Sequence, residues 1–110
     1  MMNEQELIAA ATQYLEELND NFKKMKTESV DELRFQEYID TTLKQVRQAK
    51  KVDNRLLIAF EKFYQSSSML IGLSTLKLDS ATYQSWRAYD KFHFANVKTQ
   101  LHLYGPVLIM

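Results

Sequence analysis

The chain has 110 residues, 14 basic and 14 acidic, with no cysteine, two glycines and one proline. That length predicts one domain around one core, and the balanced charge argues against a general nucleic-acid binder, whose affinity rests on cations neutralising phosphates. Disulfides, zinc–thiolate sites and cysteine nucleophiles are excluded, which suits a reducing cytoplasm, and so little glycine and proline leaves no turn chemistry for an all-β fold.

The opening MMNEQE is acidic where a signal peptide would be basic and then apolar. Asn3 with Glu6 three residues on predicts a capping box, and a first helix runs over about 4–26. Ile8, Ala11, Leu15, Leu18, Phe22 and Met25 form its stripe, widened by Leu7 and Tyr14, in a heptad-like spacing that suits shallow-angle packing. Ser29 and Glu32 predict a second capping box and a helix over about 30–51, with Leu33, Phe35, Ile39, Leu43, Val46 and Ala49 inward. Its acids come first and its bases last, the order the helix dipole favours. Asp53 caps a third helix over about 54–73, whose run LLIAFEKFY is too densely apolar for one stripe and so needs more than one neighbour. The apolar stretch from Leu56 to Leu78 is interrupted by Glu61 and Lys62, so no membrane span is expected. Ser66–Ser68 and Gly72 mark a bend or a close helix approach.

The fourth helix, about 80–104, starts at Asp79 and stops at Gly105-Pro106. At about 100° per residue, Ala81, Ala88, Tyr89, Phe92, Ala95 and Leu103 share one side, and Tyr83, Trp86, Phe94, Val97, Leu101 and Tyr104 another. Gln84, Arg87, Lys91, Lys98 and His102 remain for solvent. Asp90 projects into the seam, where it must find a donor; Arg87 and His93, three residues either side, are the expected partners. The tail 105–110 ends in Val107, Leu108, Ile109 and Met110, apolar enough to call for a groove in its own bundle or in a partner.

Four such helices on short links predict an all-α, antiparallel up-down-up-down four-helix bundle with a short apolar C-terminal tail. A three-helix core with a C-terminal arm and an intertwined dimer are the alternatives. No catalytic, cofactor or metal site is expected. His93 and His102 point to nearly opposite sides of one helix, no Glu-x-x-His pair or glycine-rich phosphate loop occurs, and no G-x-S-x-G turn surrounds the serines.

In length and helical plan the chain resembles the small bacteriocin-immunity proteins of Gram-positive bacteria. FQEYIDTTL and QSW…KFHFANVKTQL are similar to segments of a Gram-positive bundle family typified by YppE, without the proline that family has in its second helix. The resemblance implies a small bacterial or phage interaction protein and carries no residue roles across.

The expected function is therefore a non-enzymatic, cytoplasmic protein-binding module: an adaptor, inhibitor or immunity-type protein that occludes another protein. Tyr83, Trp86 and Phe94 with the tail Val107, Leu108, Ile109 and Met110 are the expected contact surface, and Arg87, Lys91 and Lys98 its basic rim. Membrane-surface association through the tail and the basic strip, and a homodimer closing its spare apolar faces on itself, are the competing readings.

Overall fold

The computed structural model describes residues 3–25, 29–73 and 76–104, with the backbone only at 73 and 102–104. The described residues form four helical rods: α1 (Glu4–Lys23), α2 (Val30–Gln48), α3 (Asn54–Leu73) and a composite last rod. In that last rod α4 (Ser80–Phe92) passes through a π-helical turn (His93–Val97) into α5 (Lys98–Tyr104). The predicted tail 105–110 lies outside the described residues.

Each start follows from its cap. The Asn3 side chain accepts from the Glu6 N–H at 2.8 Å while the Glu6 carboxylate accepts from the Asn3 N–H at 3.1 Å. Ser29 and Glu32 make the same reciprocal pair at 3.2 and 3.0 Å. Asp53 accepts from the Leu56 N–H and Asp79 from the Thr82 N–H, at 3.0 and 2.9 Å. Every cap satisfies first-turn donors that no helical carbonyl can reach. α2 ends at Gln48, short of the expected 51, because Ala49 is already extended at ψ 133°.

The rods pack as an antiparallel four-helix bundle, up-down-up-down. Phe22 meets Phe35 edge-on and Asn19 accepts from Gln36 between α1 and α2. Asn21 donates to Ser85 and Tyr14 packs on Phe92 between α1 and α4. α2 packs on α3, and α3 meets the π turn and α5. The run LLIAFEKFY accordingly faces two neighbours, and Leu57, Phe60 and Phe63 disappear between them. Phe22, Phe35, Phe63, Trp86 and Tyr89 form the aromatic centre of the core. Leu33, expected in the α2 stripe, is 62% exposed: Phe35, Ile39, Leu43 and Val46 already cover the contact with α1 and α3.

The last rod differs most from the expected pattern. Its buried positions are Thr82, Ser85, Trp86, Tyr89, Phe92, His93, Val97 and Leu101, one broad face that takes members of both predicted sides. Ala81, Tyr83, Phe94 and Ala95 face solvent. In an α-helix, residues four apart drift by about 40°, so His93, Val97 and Leu101 would leave the seam. The π turn prevents this: the Lys98 N–H bonds to the His93 carbonyl five residues back, and the widened turn absorbs the drift.

Candidate functional site

The sequence-predicted contact residues do not stay together. Tyr83 and Phe94 are 44% and 54% exposed, and Arg87 and Lys91 are exposed beside them. Trp86 is 5% exposed and belongs to the core instead, packed edge-on with Phe35 and Phe63 and stacked on Tyr64. It leaves the expected surface because α2 and α3 close over it. Lys98 is half-buried, its ammonium 5.9 Å from the ring centres of both Tyr64 and Phe94. Val107, Leu108, Ile109 and Met110 lie outside the described residues.

Tyr83, Arg87 and Phe94 fall within about 40° of one another around the helix and form one outward strip. Arg87 reaches the Tyr83 hydroxyl. Its Nε also lies 3.5 Å from Asp90 Oδ2, the partner expected for that carboxylate. The stronger donor to Asp90 is one the sequence did not suggest, the Tyr64 hydroxyl at 2.7 Å. Burial, and then the hydrogen bond to Asp90, push the Tyr64 phenol up to about 12. Tyr83, Arg87 and Lys91 also border an open groove toward α1, with Tyr14 and Phe92 on its floor.

Beneath the strip lies a polar chain that sequence reasoning missed. Glu61 of α3 and His93 at the head of the π turn are 3% and 0% exposed, with Nε2 2.8 Å from Oε1. His93 Nδ1 is 3.1 Å from the hydroxyl of Tyr89, itself fully buried. On the other carboxylate oxygen, Gln65 donates at 2.6 Å and Lys98 at 3.0 Å. The Tyr64 ring stacks on His93, centroids 4.4 Å apart and planes 10° from parallel.

One protonation pattern gives every donor in these contacts an acceptor. An ionised Glu61 only accepts, so Nε2 must carry the ring proton, and Nδ1 then accepts from the Tyr89 O–H. Burial alone would raise the Glu61 pKa, but the hydrogen bonds from His93, Lys98 and Gln65 together outweigh it and hold the carboxyl below 4.5. Burial lowers the His93 pKa below 6.5, against the pull of Glu61. The Tyr89 phenol is pushed well above 10, by burial first and then by the Glu61 charge. Tyr89 is thus held as a hydrogen-bond donor inside the core, and its ionisation as a nucleophile is opposed. Among the described residues no group of three or more His, Asp or Glu side chains converges as metal ligands. No described helix is long and apolar enough to cross a membrane.

The missed signal was present at Glu61. A carboxylate inside a run that must be covered from two sides is itself covered, and needs donors from the neighbouring helix. Its spacing from Leu57 and Tyr64 puts it on their face. The donors could not be named without knowing which helix lies opposite.

The chain matches no known family model, no curated protein and no solved structure.

Proposed function

We propose that this four-helix bundle is a protein-binding module whose contact surface is the outward strip of the last rod. One observation carries the reading: Tyr83 and Phe94 stay 44% and 54% exposed on a helix that buries Trp86, Tyr89 and Phe92. Large aromatic side chains left on one strip are what interface centres use, because they bury much area at little entropic cost. Arg87, Lys91 and Lys98 supply a basic rim. The Arg87–Asp90 pair and the Lys98 ammonium near Phe94 hold that rim in place. The reading is of a module that occludes another protein rather than transforming a substrate, and the cysteine-free composition supports a reducing compartment such as the cytoplasm.

The test is affinity capture from the native host with the wild-type chain and with the Tyr83→Ala/Phe94→Ala double variant. Each truncation of a central aromatic costs on the order of 1–2 kcal/mol of binding. A specific partner should therefore be retained at least about tenfold less well by the double variant. Equal retention of every captured protein by both chains would remove the strip from the proposal. Trp86→Ala is not a usable control, since it opens the core.

A further inference from the structure

A single proton on His93 decides whether the hydrogen bonds at the α3 seam match. With the ring neutral, the Tyr89 O–H donates to Nδ1, Nε2–H donates to Glu61 Oε1, and Gln65 and Lys98 donate to Oε2. A second proton makes Nδ1 a donor aimed at a hydroxyl that was donating to it. The Tyr89 oxygen accepts from that donor only by turning its O–H away, and because Tyr89 has no exposed surface the O–H then lacks an acceptor where water cannot supply one. The charged ring also loses hydration, which Glu61 only partly offsets, in keeping with the lowered His93 pKa.

The titratable and charged groups around His93 are Glu61 and Tyr64 from α3, and Tyr89, Asp90 and Lys98 from its own rod. Glu61 and Asp90 favour the second proton, and Lys98 opposes it. α1 meets the rod elsewhere, through Tyr14 on Phe92 and Asn21 on Ser85; α2 meets it through Phe35 on Trp86.

The seam is also where a local release is mechanically simplest. α1 packs on α4, whereas the π turn and α5 lean on α3. Beyond His93, the buried side chains among those described in that segment are Val97 and Leu101, with the Lys98–Glu61 pair beside them. π turns replace regular helical hydrogen bonds with a wider i→i−5 pattern and recur at functional sites.

We propose that the Tyr89–His93–Glu61 chain is an acid-operated latch. A second proton on His93 reverses its bond with Tyr89, leaves the Tyr89 O–H without an acceptor in the core, and lets the π turn and α5 part from α3, carrying Phe94 and Lys98 with them. The latch follows from the geometry of the seam and holds whatever the outward strip binds.

Imidazole nitrogen NMR and amide hydrogen exchange on the full chain, from pH 7.5 to 5, test it. At pH 7 His93 shows the neutral ring with its proton on Nε2. Below pH 6.5, the value of the free side chain, the opening constants of amides 93–101 rise about tenfold per pH unit, until the folded ring itself takes the proton. Amides of α1 and α2 do not follow. Glu61→Gln removes the charge that favours the second proton on the closed ring, so its tenfold-per-unit rise continues to lower pH than in the wild-type chain. A doubly protonated His93 at pH 7 overturns the latch. So does protection at 93–101 that is lost only together with α1 and α2. Both of these readouts use the wild-type chain alone, so they decide for or against the latch even if the Glu61→Gln chain fails to fold.

Discussion

Glu61 accepts from three side chains, and their exposures rank them. His93 is 0% exposed, while the Lys98 side chain is 36% exposed and keeps part of its hydration when unpaired. Glu61→Ala strands the His93 N–H in the core and should lower stability by about 3 kcal/mol. Lys98→Ala should cost less, about 1–2 kcal/mol, because His93 and Gln65 still donate to the buried carboxylate. Urea unfolding of the two variants separates them, and equal losses would mean that Lys98, not His93, is the partner that matters. The same logic divides the aromatic residues. Trp86→Ala should cost about 3–5 kcal/mol because the site sits among Phe35, Phe63 and Tyr64. Tyr83→Ala should stay within about 0.5 kcal/mol, as expected of an exposed position. If the two losses were similar, Trp86 would belong to the surface after all.

At the level of elements, the π turn is best understood as one residue accommodated within an otherwise continuous helix. Deleting the exposed Ala95 should convert it to an ordinary α turn and leave the flanking faces in register, with Val97 and Leu101 still inward. Deleting Ala88, within α4, has no wide turn to absorb it. It rotates everything that follows by about 100° and should abolish cooperative folding. Thermal melts by circular dichroism compare the two deletions directly. If the Ala95 deletion is as disruptive as the Ala88 deletion, the turn is not an accommodated residue and the drift has another remedy.

Across the whole molecule, acid should weaken the fold in two stages. His93 titrates below its usual 6.5 when folded. As the pH drops through 6.5 the unfolded chain therefore takes a proton that the folded chain refuses, and stability falls until the folded ring is protonated too. Glu61 titrates below its usual 4.5 when folded. Its contribution is fully present above that pH and is lost as the pH falls toward the folded-state value. Each group adds a slope of at most about 1.4 kcal/mol per pH unit inside its own window. Urea midpoints measured from pH 8 to 4 should be level above 7 and decline below 6.5. His93→Gln should flatten the first decline and leave the second. A wild-type profile that is flat between pH 7 and 5 would mean that the folded and unfolded chains bind the His93 proton equally well, against the burial of the ring.

Local chemistry was enough to set the helices. Asn3 with Glu6 and Ser29 with Glu32 are read from residues three apart, Asp53 and Asp79 from their place at the start of a helical run, and each makes its cap. The α1 stripe and the antiparallel bundle follow in the same way, because periodicity and short links act within one or two turns of chain. Tertiary structure decided what periodicity cannot express. Trp86 and Tyr83 are three residues apart on one helix, yet the first is roofed by Phe35 and Phe63 and the second is left in water. Glu61 and His93 are 32 positions apart, and neither has a meaning until α3 and the last rod lie side by side. The π turn is likewise a compromise: the helix gives up regular hydrogen bonding to keep Val97 and Leu101 against α3. A single helix has no reason to make it, and its cost is offset only by burial against a neighbour.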